Sequence, residues 1–158
     1  MAVITGTLAI NAAFLQEIKE DNRQVRELIE KVASTCRRTS REGLQTRILA
    51  DHLNALRDQL ALHFTLEDAY GYFEDAIVDA PRLSGEAQRL HSQHDTLFRE
   101  ICDLVDLAEG LLYQERRVVQ FASVAAHFFA FQARFERHER GENELILAAF
   151  DDDIGVGD

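Results

Sequence analysis

The chain has 158 residues, a length that suits one domain, spanning residues 1–158, with a core of its own. Its 17 Lys and Arg against 28 Asp and Glu give a net charge of −11, which argues against nucleic acid or an anionic membrane as a partner. The sequence offers no apolar run near the ~20 residues of a membrane span, no basic signal-peptide start and no disulfide framework. These features favour a reduced, cytoplasmic, all-helical protein.

Four segments carry apolar residues at the spacings of three and four that predict amphipathic helices. They cover residues 11–34, 44–78, 84–110 and 114–150. Short stretches with turn residues such as Gly43, Pro81 and Gly110 separate them, so neighbouring helices should be antiparallel. The fold predicted is an all-α, up-down-up-down four-helix bundle with the apolar stripes facing inward.

Polar or ionisable residues interrupt each of these stripes. In chain order they are Asn22, His63, Glu67, His94, His138 and Glu142. At ~1.5 Å per residue, each helix delivers its polar position roughly 12–17 Å from the same end of the bundle. Because isolated buried charges cost several kcal/mol, these side chains are expected to gather at one level, where they can satisfy each other or a metal ion.

The spacing of the ionisable pairs indicates a cation site. His63 and Glu67, like His138 and Glu142, are four residues apart, so each pair points from one helix face. A carboxylate can bridge two cations while an imidazole binds each of them, as in the dimetal sites of helical bundles. Mixed imidazole and carboxylate ligands suit iron, manganese or zinc. The alternative is a hydrogen-bonded polar layer that sets the register of a metal-free bundle.

Four segments of the sequence resemble motifs of the hemerythrin-like, or HHE cation-binding, domain family. They are EIKEDNRQVREL, LRDQLALHFTLED, RLHSQHDTLF and FERHERGENELIL, in the order of the family's four helices, and the resemblance covers nearly the whole chain. It implies a non-haem iron centre, usually an oxo- or hydroxo-bridged diiron pair. Such a centre binds dioxygen, peroxide or nitric oxide in sensing, detoxification, storage or iron handling.

Residue by residue, the resemblance implies that Glu67 and Glu142 bridge the two irons. It implies that His94 and His138 bind one iron and that His63 binds the other. Asn22 stands where the family's first helix usually carries a His. Mononuclear iron or zinc is the alternative cofactor.

The sequence also departs from the family's oxygen carriers. Those carriers have a second His four residues from the third-helix His, where this chain has Leu90 and Phe98, and an Asp where it has Asn143. With three His instead of five, reversible oxygen transport is disfavoured, and the iron at His63 is short of a ligand.

Three further residues are candidate ligands: Asn22 and Tyr70 for the iron at His63, and His91, one turn from His94, as an extra ligand. Asp21 lies one position off the first stripe and is a weaker candidate, and Glu139 is expected to point into solvent. Three functions remain open: a peroxidase- or oxidase-like enzyme, a sensing or iron-handling module whose bundle loosens on metal loss, and a metal-free interaction protein.

Overall fold

The computed structural model describes the backbone of residues 2–38, 42–69, 80–113 and 120–156 and the side chains of 16–38, 44–68, 80–113 and 120–149. The four helices are α1 (Ala2–Arg37), α2 (Glu42–Ala69), α3 (Ser84–Leu112) and α4 (Phe121–Val156), and a 3-10 turn, Pro81–Leu83, precedes α3. The described residues contain no strand. The predicted all-α four-helix bundle is confirmed.

The helix bounds differ from the predicted ones mainly at the N-terminal ends. α1 begins at Ala2 instead of residue 11. The prediction missed this start because the first residues are mostly apolar and small and do not show the spacing of three and four that marks an amphipathic helix. α4 begins at Phe121, where the Gln120 carbonyl accepts hydrogen bonds from the N–H groups of Ser123 and Val124. Residues 70–78 of the second predicted segment and 114–119 of the fourth lie outside the described part of the chain.

The helices pack as a ring in which α1 contacts α2 and α4, and α3 contacts α2 and α4. α2, α3 and α4 bury nearly all of their predicted stripes, and α1 buries its own less completely, with Asn22 half-buried. The fully buried large side chains come from all four helices: Val25 and Val32; Leu49, Leu53, Leu56 and Leu60; Leu90, Ile101 and Val105; Val124, Phe128 and Phe131. Burying an aliphatic or aromatic side chain contributes roughly 1.5–3 kcal/mol, so these contacts hold the bundle together. No described helix has an apolar stretch long enough to cross a bilayer.

A polar layer divides this core into two apolar parts. The larger cluster occupies the side of Leu53, Ile101 and Phe128, and a smaller one is built from Ala87, Leu90 and Leu145. Between them lie buried polar side chains from every helix: Asp21, His63, Glu67, His94, His138 and Glu142. The expectation that the polar interruptions share one level is therefore met, although α1 supplies a different residue from the one predicted.

Candidate metal centre

The polar layer brings together five side chains from α2, α3 and α4. They are His63, Glu67, His94, His138 and Glu142, each at most 6% exposed. Each lies on the inward face of its helix, one helical turn from buried apolar residues. The i, i+4 spacing within α2 and within α4 places the imidazole and carboxylate of each pair side by side.

Four of these residues form the first group: Glu67, His94, His138 and Glu142. One potential ligand atom from each lies within 4.8 Å of the others. Nε2 of His94 is 2.9 Å from Oε2 of Glu67 and 3.2 Å from Oε1 of Glu142, and Nε2 of His138 contacts Oε1 of Glu142. Two imidazole nitrogens and two carboxylates thus surround one buried point, a donor set that suits a divalent first-row metal ion.

The second group consists of His63, Glu67 and Glu139. Nε2 of His63 is 2.8 Å from Oε1 of Glu67 and 2.9 Å from Oε1 of Glu139. Because the two oxygens of Glu67 face different groups, this carboxylate lies between two candidate cation positions.

The sequence-based expectation that Glu139 points into solvent is wrong. Its side chain is 28% exposed and contacts His63. Residues of α2 as well as α3 pack against this part of α4. The inward face of α4 is therefore wider than the single stripe through His138 and Glu142. The spacing of three residues between Glu139 and Glu142 was the available signal, since such residues share a helix face.

Each of the three histidines is held at its outer ring nitrogen by a side-chain acceptor. Nδ1 of His63 donates to Oδ2 of Asp21 at 2.5 Å, that of His94 to Asp68 at 3.2 Å, and that of His138 to Gln93 Oε1 at 2.8 Å. All three Nε2 atoms are thereby directed into the carboxylate cluster. This arrangement is typical of metal-binding histidines, whose second nitrogen is fixed by a carboxylate or carbonyl oxygen.

The polar residue that α1 contributes to the layer is Asp21, and the prediction that Asn22 takes the inward slot is corrected. Asp21 is buried and also accepts a hydrogen bond from Nε2 of Gln59 at 2.8 Å. Both positions lie within the roughly 100° of an inward helix face. The contacts with Gln59 and His63 of α2 select Asp21, and half-buried Asn22 lines a small cavity beside His63.

His91, the candidate next to His94, does not join the buried groups. The side chain of His91 is 58% exposed and pairs with Oδ1 of Asp68 at 3.0 Å. It forms an outer group with Asp68 and His94. Tyr70 lies outside the described residues.

Two buried atoms of the centre show that these residues fit a cation. Among the described side chains, Oε2 of Glu67 and Nε2 of His138 are buried without a hydrogen-bond partner. Both atoms have polar neighbours within 3 Å, so it is the angle of approach, and not the distance, that prevents a hydrogen bond. Atoms aimed at a common point instead of at one another are expected where lone pairs share a metal ion, and leaving them unsatisfied otherwise costs about 1–3 kcal/mol each.

The electrostatics of the protein groups reflect the concentration of carboxylates. Burial works against the charged imidazole of His63, but hydrogen bonds to Asp21, Glu139 and Glu67 raise its pKa to about 12. For His94, burial is likewise outweighed by Glu142 and Glu67, which raise the pKa to about 10. Burial would raise the pKa of Glu67, yet His63 and His94 lower it to about 2. Burial raises the pKa of Glu139 despite its hydrogen bond to His63. The buried carboxylates therefore stabilise positive charge on His63 and His94.

Aromatic side chains cover the imidazoles on the side of the larger apolar cluster. The ring of Phe64 stacks on His94 with centroids 4.6 Å apart and meets His63 edge-on at 5.3 Å. Phe135 lies 6.0 Å from His63. On the other side Gly141 lets α4 approach α3, since a Cβ there would lie 2.9 Å from Cδ2 of Leu90. These contacts leave the four side chains of the first group at most 6% exposed.

The second group has access to solvent on the α1 side. A cavity of about 20 Å³ touches carboxylates of both groups, being lined by His63, Glu67, Glu139 and Glu142 together with Asn22, and has room for about one water-sized molecule. A groove of about 650 Å³ between α1 and α4 reaches the same His63 and Glu139. A small ligand can therefore approach the second group from the groove.

Replacing Gln93 by Leu tests whether the outer hydrogen bonds organise the centre. The change removes the acceptor of the His138 Nδ1–H and is expected to weaken cation binding by about 10- to 100-fold. Gln88→Leu, at an exposed position of the same helix, is the matched control. Zinc affinities of both variants, measured by competition with a chromophoric chelator, check this; equal affinities would show that Gln93 does not position His138.

Comparison with known proteins identifies one family. The sequence model of the hemerythrin HHE cation binding domain matches residues 13–150, a range that includes both groups and Asp21. Neither the curated proteins nor the solved structures gave a match.

Proposed function

Because the chain belongs to the hemerythrin HHE cation-binding domain family, we propose that it holds two non-haem iron ions and binds dioxygen, peroxide or nitric oxide at the more open of the two positions. The first group would hold one ion and the second group the other, with Glu67 between them. When bound, such iron supplies redox-active coordination of a small oxygen or nitrogen species. The observation that carries the proposal is the inward direction of three Nε2 atoms whose Nδ1 atoms are fixed from outside.

The charge of the layer supports two ions better than one. Five carboxylates contact the three imidazoles, and four of them, those of Asp21, Glu67, Glu139 and Glu142, are largely buried, whereas that of Asp68 is 45% exposed. Two divalent cations balance four negative charges, whereas a single ion leaves an excess that a buried site tolerates poorly. Two partly separate groups sharing one carboxylate match this count.

The surroundings suit a small ligand. Phe64 and Phe135 keep the imidazole side of the centre apolar, which strengthens electrostatic contacts and limits side reactions with water. The cavity beside His63 admits a ligand the size of a water molecule. We also propose a reducing, cytoplasmic setting, which the two free, half-buried thiols of Cys36 and Cys102 support.

Metal analysis and an optical spectrum of aerobically purified protein test the proposal. We expect about two irons per chain and near-ultraviolet charge-transfer absorption that changes on addition of azide or nitric oxide. A colourless zinc protein would contradict the oxygen chemistry and retain the cation site. A protein without any metal after expression in iron-supplemented medium would contradict the proposal. Turnover of added peroxide by the iron-loaded protein would assign it to the enzymes.

A further inference from the structure

The second group raises the question of which residue replaces the usual first-helix His. We propose that Glu139 of α4 is the ligand that completes the second cation position, and that Asp21 of α1 acts from outside by positioning His63. The inference rests on the proposed function, since it assigns residues to one of its two cation positions.

The contacts of His63 argue for Glu139 as a ligand. Its single Nε2 atom has two carboxylate oxygens within 2.9 Å, one from Glu67 and one from Glu139. One N–H cannot serve two carboxylates equally well, and the two negative charges repel each other. A cation placed among the three side chains satisfies both carboxylates and takes the imidazole lone pair.

The contacts of Asp21 argue against a ligand role for α1. Oδ2 of Asp21 accepts from Nδ1 of His63 at 2.5 Å, and Oδ1 accepts from Gln59 at 2.8 Å. Both oxygens are therefore occupied. They also lie at the edge of the ring opposite Nε2, the atom directed at the cation position. Asp21 thus orients the ring and makes it a better donor, as carboxylates do behind metal-bound histidines.

The two positions consequently differ in strength and access. The first has four buried donors, and the second has three, of which Glu139 is partly exposed beside the groove between α1 and α4. We expect the second position to fill last and empty first, and to be the one that meets an incoming ligand.

Titration of the full-length protein with Co²⁺ tests the assignment, with the d–d absorption reporting the ligand set and elemental analysis the number of ions. The wild type is expected to take up two ions with separable affinities. Glu139→Gln should retain the tighter ion and lose the weaker, together with its contribution to the spectrum. Glu144→Gln, an exposed position of the same helix, should behave as the wild type.

Asp21→Ala should still bind two ions, with the affinity for the weaker one lowered by about 10- to 100-fold. Asp21→Asn, which keeps an acceptor oxygen for Nδ1, should lose less. Unchanged weak-site affinity in Glu139→Gln, or outright loss of an ion in Asp21→Ala with the fold intact by circular dichroism, would overturn the assignment. A wild type that takes up no Co²⁺ and no iron would contradict the proposed function itself, so the two failures are distinguishable.

Discussion

Glu67→Gln is expected to remove bound cations from both positions at once. The two oxygens of Glu67 face different groups: Oε1 lies 2.8 Å from His63 and Oε2 lies 2.9 Å from His94. The substitution keeps the shape of the side chain but replaces the negative charge that faces both groups with a neutral amide that has only one acceptor oxygen. Each position thus loses a carboxylate ligand, which no other single substitution achieves among the described residues of the two groups.

Elemental analysis of the purified variant measures the effect, and the expected metal content is below about a tenth of the wild-type value, which from near-full occupancy requires binding that is at least ~100-fold weaker, or ~2.7 kcal/mol, at each position. Asp58→Asn on the same helix, with a side chain 73% exposed, removes a carboxylate without touching the cluster and should leave the content unchanged. Retention of one full ion by Glu67→Gln would mean that the two groups do not share this ligand.

Removal of the metal is expected to lower the melting temperature of the wild type by about 8–16 °C. A ligand at 1,000 times its Kd stabilises the native state by ~4 kcal/mol, and in a domain of this size each kcal/mol shifts Tm by roughly 2–4 °C. The effect is large because the ligands come from three helices, so the cation links α2, α3 and α4 and relieves repulsion among their buried carboxylates.

Scanning calorimetry of chelator-treated protein, before and after reloading with Zn²⁺, measures this shift. Glu67→Gln serves as the control, since its melting temperature should not respond to the metal. If metal-loaded protein, with its ion still bound, melts at the same temperature as stripped protein, the ion is held at the surface and does not connect the helices.

The larger features of the site were predictable from the sequence because they depend on helical periodicity. His63, Glu67, His94, His138 and Glu142 occupy slots in apolar stripes, and such slots face inward in any bundle that buries those stripes. The connections predicted between the segments are short and favour antiparallel neighbours, so positions at similar distances from one end are expected at one level. The i, i+4 pairs then give an imidazole and a carboxylate on the same helix face.

Which neighbouring residues join the buried cluster was decided only in the tertiary structure. Periodicity defines an inward face about 100° wide, and Asp21 and Asn22 both fall within it, as Glu139 falls at the edge of the face that carries His138. The choice between them depends on distances to side chains of other helices. Asp21 reaches Gln59 and His63, and Glu139 reaches His63 across the bundle. Those distances follow from how the helices are rotated and how closely they approach, which the sequence of one helix does not specify.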